Sequence, residues 1–485
     1  MEIIQSLLLP IRVVMYRISD KNLISIKSTV AVSLLMALML PGFSLAQQAA
    51  PRPNFIIFIG DDIGWDDLGA YGHPHIRTPN IDGLAREGIQ FNNAFLTTSQ
   101  CSPTRASVLT GRYPHNTGAK NLHDPLPREQ ITIAEILQEA GYYTASVGKW
   151  HLGDPTRSEF DVVEEKPAIK HGLDVIKNRP KDRPFFLWFA SWDAHWPYQE
   201  GILSEPHQPE DVVVPPFIPK TPGVVKDFTM YYNEIARFDL HIGQMVAALK
   251  RQGILDNTVI IIMSDNGRPF PRSKSFLYDS GIKMPFIIRY PQRIADHSVS
   301  NALISALDIA PTVIDLAGAK TPGTFQGKSL IPLFSDPDHT HHQKIYAEHN
   351  WHAFQAHERA VRTKKYLYIR NAFPSLPGMI SRDYLWHSEG FNEIVALHEK
   401  GELSPEFGIY FTPSRPYEEL YNVETDPYQM FNLINDQAYK SIADSMRRSL
   451  DIWVEETNDS IPVKPRPDYF NRWDGSKTEN FKKIW

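Results

Sequence analysis

The sequence predicts an α/β protein with a second, smaller domain at the carboxyl end. Three observations carry this. Strand-length runs, mostly apolar, recur at 54–60, 142–147, 185–190 and 258–263, and most are followed at once by polar residues. Continuous apolar runs, rather than alternation, fit strands covered on both faces. Between them lie segments of helical spacing. The longest, 225–252, sets Tyr231, Ile235, Phe238, Ile242, Met245 and Leu249 at three- and four-residue steps. From Ile345 the rhythm changes to short strands and aromatics, ending in a helix over 437–455. A chain of 485 residues is long enough for one large core and a smaller one.

Residues 1–50 read as a leader. Lys21 and Lys27 precede an apolar run from Val30 to Leu40, then Pro41-Gly42 and the small-residue pattern Ser44-Leu45-Ala46. This is the layout of a secretory signal over 1–46, with Met15 as an alternative start. It predicts an exported protein, periplasmic or extracellular. The run is short for a membrane span, and no later stretch suits one, so no integral membrane segment is expected after cleavage. The formal net charge of −6 argues against nucleic-acid binding and against long-range attraction of a polyanion. Any affinity for anions must be local to a pocket.

The run from Asn54 to Gly60 delivers Asp61 and Asp62 at its carboxyl end, where open α/β sheets place ligands. Adjacent acids repel unless a cation sits between them, which suits calcium or magnesium. A polar turn is the other reading. Thr78 caps a short helix that stops at Gly88. The stretch from Ser99 to Arg112 then holds Cys101, the only cysteine, with Pro103 and Arg105 in a helical run ending at Gly111. A thiol at a helix start has a lowered pKa and lies beside free N–H groups, and Arg105 adds a fork suited to tetrahedral oxyanions. These residue types read as a nucleophile on an anion-binding turn. A small buried hydrophobe is the plainer reading of a lone cysteine. One cysteine cannot bridge internally, so an exported chain that keeps it uses it for chemistry or no longer carries a thiol.

A helix over 132–140 and the strand over 142–147 lead to Gly148-Lys149-Trp150-His151-Leu152-Gly153. On an extended segment Lys149 and His151 share a face, where they can hold an anion and shuttle a proton. His195 sits just past the 185–190 strand, and the proline-rich stretch 204–224 reads as an extended surface loop. The strand over 258–263 ends in Asp265 and Asn266, two further oxygen ligands. Lys274 precedes the string from Tyr278 to Pro285, with a strand over 285–290 and a helix over 305–317 beyond. His339, His341 and His342, in the loop-like tract 319–345, read as exposed, solvated histidines, with incidental metal binding as the alternative.

Cys-x-Pro-x-Arg, extended by Leu109-Thr110-Gly111-Arg112, resembles the signature of the type I sulfatases of the alkaline-phosphatase-like superfamily. The string 148–153 resembles their second signature, and the resemblance runs from about Arg52 to Leu433. It implies a large mixed, mostly parallel sheet sandwiched by helices as the catalytic domain over 51–345. It also implies a smaller antiparallel-sheet α+β subdomain over 346–485 that completes the substrate pocket. A formylglycine-generating enzyme or anaerobic maturase would oxidise Cys101 to formylglycine. Asp61, Asp62, residue 101, Asp265 and Asn266 would hold calcium, with magnesium as the alternative. Cys101, Arg105, Lys149, His151, His195 and Lys274 form the implied catalytic set. One hydroxyl of the hydrated aldehyde attacks sulfur, and the second expels sulfate and restores the aldehyde. Asp279, Ser280 and Lys283 depart from the family's Tyr-Glu-Gly-Gly-x-Arg-x-Pro string.

The string 265–271, Asp-Asn-Gly-Arg-Pro-Phe-Pro, is similar to that of heparan N-sulfatases. That similarity adds N-sulfoglucosamine to O-sulfated saccharides as candidate substrates. Arg268, His349, Asn350, His352 and Arg359 are the candidate saccharide contacts. Two rivals remain open on sequence: a phosphate or phosphonate monoesterase of the same superfamily, and an exported glycan-binding protein that keeps its thiol.

Overall fold

The strand β1 (Asn54–Gly60) has no exposed residue, and its alternate side chains enter two different cores. Ile56 and Phe58 pack with the long helix Pro222–Arg251 on one face. Phe55, Ile57 and Ile59 pack on the other with helices Ile133–Glu139 and Ile309–Leu316. A strand covered on both sides must be apolar throughout, which is why it reads as an unbroken run. The structure is a computed structural model that describes residues 52–378, 384 and 388–482. The expected leader lies outside them.

The main sheet adds β2 (Ile89–Phe95), β3 (Tyr143–Gly148), β4 (Val162–Glu164), β5 (Phe185–Ala190), β6 (Thr258–Ser264), β7 (Phe286–Arg289) and β8 (Ser298–Ser305). Its order is β4-β3-β5-β1-β6-β7-β2-β8. Only β7 runs antiparallel to its neighbours, so the sheet is mixed and mostly parallel, with helices on both faces. A second sheet, all antiparallel, is ordered β12-β11-β10-β9 from β9 (Ile345–His349), β10 (Glu358–Arg362), β11 (Tyr366–Asn371) and β12 (Glu418–Asn422). Helix Lys440–Glu456 covers it, packing Met446, Leu450 and Trp453 on Val361, Tyr368 and Leu420. Both sheets lie within one compact unit, Arg52–Trp485.

Some expectations shift. The long helix starts at Pro222, because Thr221 caps it by accepting the Val224 N–H. The segment 305–317 opens as a tight turn, Ala306–Asp308, before the α-helix Ile309–Leu316. His341 and His342 are not solvated: both rings lie against the buried Asp308 carboxylate.

Candidate active site

Four adjacent parallel strands end side by side, and each hands over a polar residue. In sheet order these are Lys149 after β3, His195 after β5, Asp61 and Asp62 after β1, and Asp265 and Asn266 after β6. Backbone hydrogen bonds lock the row: Lys149 N–H donates to Ala190 O (2.8 Å), Asp61 N–H to Asp193 O (2.7 Å) and Asp265 N–H to Gly60 O (3.1 Å). Gly148 permits the first of these. Its φ is +88°, and a Cβ there would meet Ala190 O at 1.8 Å. Asp62 takes a left-handed conformation (φ +67°), tolerable for aspartate, which turns its carboxylate back beside Asp61.

Cys101 opens the helix Cys101–Thr110 and is buried at the centre of this row. Its Sγ lies 3.8 Å from Asp61 Oδ1 and 4.0 Å from Asp62 Oδ1, and accepts from Asn266 Nδ2 at 3.1 Å. Ligand atoms of Asp61, Asp62, Cys101 and Asp265 all fall within 4.8 Å of one another. Asn266 Nδ2 also donates to Asp62 Oδ1 (2.9 Å) and Asp265 Oδ1 (3.0 Å). Asn266 Oδ1 is buried without a hydrogen-bond partner among the described residues. An orphaned carbonyl oxygen beside three carboxylates fits a donor set that a hard cation completes.

Three fixed cations surround the acids. Lys149 Nζ donates to Asp61 Oδ2 (2.5 Å) and Lys274 Nζ to Asp62 Oδ2 (2.8 Å). Arg105 gives Nε (2.9 Å) and Nη2 (2.6 Å) to Asp265 Oδ2 and Nη1 to Lys149 O (2.8 Å). The arginine fork therefore positions Asp265 and residue 149 rather than facing the cavity. Burial raises Asp62, its neighbours Asp61 and Asp265 add to this, and Lys274 and Lys149 only partly offset it, leaving the carboxyl at about 7. Burial likewise pushes the Cys101 thiol up to about 12 against the pull of Lys149 and Lys274. The expected lowering at a helix start is thus reversed: desolvation of a fully buried sulfur outweighs the helix terminus and both lysines.

A cavity of about 200 Å³, open to solvent, has Cys101, Lys149, His151, His195 and Lys274 in its wall, with Leu122, His123, Trp150, Glu165, Trp192 and His352. His151 does not sit on an extended segment, since its φ is +57°. It reaches the same cavity as Lys149 through a turn, and its Nε2 meets His123 Nδ1 at 2.5 Å. Burial, then Lys149 and His123, hold His151 well below the usual histidine range, so its ring is neutral at working pH. His195 Nε2 lies 3.9 Å from Asp62 Oδ2.

Of the five candidate saccharide contacts, only His352 lines this cavity. Arg268 is buried against Asp66 and Asp67, giving Nε (3.0 Å) and Nη2 (2.9 Å) to the latter. Arg359 Nε pairs with Asp459 Oδ2 at 2.5 Å and its Nη2 donates to Asn350 Oδ1. Asn350 also donates to Glu348, and His349 Nδ1 lies 3.8 Å from Glu358 Oδ1. Arg268, Asn350 and Arg359 thus pair with protein groups, whereas both ring nitrogens of His349 are buried without a hydrogen-bond partner among the described residues. The sequence reading missed His123, Glu165 and Trp192 as wall residues. His123 carries no motif; its backbone N–H is held by Ser102 Oγ (2.8 Å), next to the nucleophile position. Trp192 stands three residues before His195, and that closeness in sequence is the signal that could have found it.

Together the fold and this constellation define a hydrolase of small anionic groups, with carboxylates and cations converging at the carboxyl ends of parallel strands. The sulfatase family model matches residues 53–162 and 154–319, more than half of the chain, which belongs to the sulfatase family and is a sulfuric ester hydrolase. A model for the carboxyl-terminal part of N-sulphoglucosamine sulphohydrolase matches residues 272–374. The chain is 29% identical over 479 residues to N-sulphoglucosamine sulphohydrolase of Homo sapiens, covering 86% of this chain and 93% of that one. It is 27% identical over 483 residues to an ulvan-active sulfatase of Formosa agariphila, covering 88% and 79%. A solved structure of a protein with its substrate D-glucosamine-2-N,6-O-disulfate shares the fold, with TM-score 0.65 and 22% identity over 85% of this chain and 99% of that one.

Proposed function

We propose that this chain is an exported, formylglycine-dependent sulfatase acting on sulfated saccharides, with N-sulfoglucosamine-type groups as its target. One observation carries the mechanism: the lone cysteine sulfur lies among three carboxylates and Asn266 in the wall of a solvent-open cavity. A thiol pushed up to about 12 is protonated and a poor nucleophile, so the encoded side chain does not suit the chemistry until it is converted. Formylglycine at this position would supply a pair of geminal hydroxyls. Asp61, Asp62, Asp265 and Asn266, with the residue-101 oxygen, would hold a calcium ion, which supplies positive charge for the sulfate oxygens.

The remaining steps belong to side chains present. Lys149 and Lys274 face the cavity and offset charge on the non-bridging oxygens. Arg105 acts at one remove, holding Asp265 in register. His151, neutral and in the wall, accepts a proton from the residue-101 hydroxyl, with His123 fixing its ring. His195 donates the proton that the departing sugar nitrogen or oxygen requires. His352 and Trp192 supply wall surface for the sugar ring.

The human relative and the carboxyl-terminal family match support the N-sulfo reading. The ulvan-active relative supports a second one, an O-sulfate ester. Sulfate release by the matured, calcium-loaded enzyme from glucosamine sulfated singly at N2, O3 or O6 decides between them. Release from N2 alone supports the first reading, and release from O positions alone the second. Cleavage of matched phosphate monoesters in preference to sulfates would overturn both.

A further inference from the structure

We propose that Asp308, His341 and His342 form a second metal site, matched to zinc and separate from the candidate active site. None of the three lines the active-site cavity. Asp308 is fully buried just before helix Ile309–Leu316. Its Oδ2 accepts the Ser305 N–H and its Oδ1 the Lys328 N–H, both at 2.8 Å, so the carboxylate is fixed between two chain segments. The histidines arrive from a third segment, which a bridge between Leu303 and His342 holds beside β8.

The donor geometry is already that of a ligand set. His342 Nε2 lies 3.1 Å from Asp308 Oδ1 and 3.0 Å from Oδ2. His341 Nε2 lies 3.3 Å from Oδ2, is buried, and has no hydrogen-bond partner among the described residues. The side chains are only 4% and 15% exposed. The rings cross at 80°, so their Nε2 atoms approach the carboxylate from different directions, and one donor from each residue falls within 4.8 Å of the others. Ligands about 2.0–2.1 Å from a tetrahedral zinc ion stand roughly 3.3 Å apart, close to the spacings seen here.

The two sites differ in chemistry. The active-site donors are carboxylates and an amide oxygen, which favour a hard cation such as calcium. Two imidazoles and one carboxylate favour zinc and its first-row neighbours. Binding would replace the proton that His342 Nε2 shares with the carboxylate, and the partly exposed His342 edge leaves room for a solvent ligand. The ion would clamp the segments at 305–308, 328 and 341–342 together, with no part in sulfate cleavage.

The test is a zinc titration of the matured enzyme against a chromophoric chelator, with calcium saturating. Wild type should take up one zinc per chain. His341→Gln and His342→Gln should bind it at least about tenfold more weakly, with unchanged kcat on a sulfated substrate. Equal zinc uptake by wild type and both variants, or none by wild type, overturns the proposal. Anomalous diffraction at the zinc edge guards against misfolded variants, because it needs only the wild type. A peak within about 2.3 Å of all three donors supports the site, and zinc found only elsewhere overturns it.

Discussion

Calcium binding to this protein should carry a proton with it, and Asp62 sets the pH at which it does so. Burial, reinforced by Asp61 and Asp265, holds this carboxyl at about 7, although Lys274 and Lys149 pull the other way. The folded value lies above the ordinary 3.8, so the cation-free protein binds a proton there that the unfolded chain does not. That contribution is complete below pH 3.8 and is lost as pH rises to 7. The three-unit gap corresponds to at most about 4 kcal/mol. A calcium ion takes over the role of that proton. Below pH 7 it must displace it, and its apparent affinity should fall at a rate approaching tenfold per unit, or about 16-fold between pH 7 and 5.5. Isothermal titration calorimetry in buffers of different ionisation enthalpy reads both quantities. Near one proton should be released per calcium at pH 5.5 and almost none at pH 8.5, with a larger calcium-induced rise in Tm at the higher pH. Equal affinity and no proton release at both would refute the reasoning.

Other outcomes follow from the same geometry. Cys101→Ser keeps one hydroxyl but lacks the second, so steady-state turnover should fall by about 10³-fold or more while calcium still binds, as measured by sulfate release and calorimetry. His195→Ala should lower kcat by about 10²- to 10⁴-fold on saccharide substrates and much less on an aryl sulfate whose leaving group needs no proton. Equal losses on both would remove His195 from the acid role. Arg268→Ala leaves the buried Asp67, and the partly exposed Asp66, without their cation and should cost about 3 kcal/mol in urea denaturation. His352→Ala should raise KM in steady-state sulfate release, since its ring borders the cavity.

The parts legible in the sequence were those dictated by local physics. The strand ends at 61–62 and 265–266 stand out because a doubly covered strand must be apolar and its polar residues then fall at the tip. Lys149 and His151 share a cavity as expected, yet through the left-handed turn at His151, which periodicity cannot reveal. Arg268, His349, Asn350 and Arg359 do not line the cavity, and in sequence a polar residue looks the same whether it meets a ligand or a buried partner. Asp67 and Asp459 lie 201 and 100 residues from their arginines, Glu358 stands 3.8 Å from His349 on the neighbouring strand β10, and Glu348 is two residues before Asn350 on β9. The histidine pair at 341–342 misled for the same reason, since Asp308 reaches it only in the folded chain. The lowered proton affinity expected for the thiol came from its helix start, whereas complete burial, the plainer reading of a lone cysteine, raises it.

The most direct test is mass spectrometry of the tryptic peptide 87–105 from enzyme matured in its native host, set against the specific activity of the same samples. The account predicts a peptide lighter by the change from CH2SH to CHO, with activity rising in proportion to the aldehyde-bearing fraction. Full sulfate-releasing activity in protein whose residue 101 is entirely an intact thiol would contradict it.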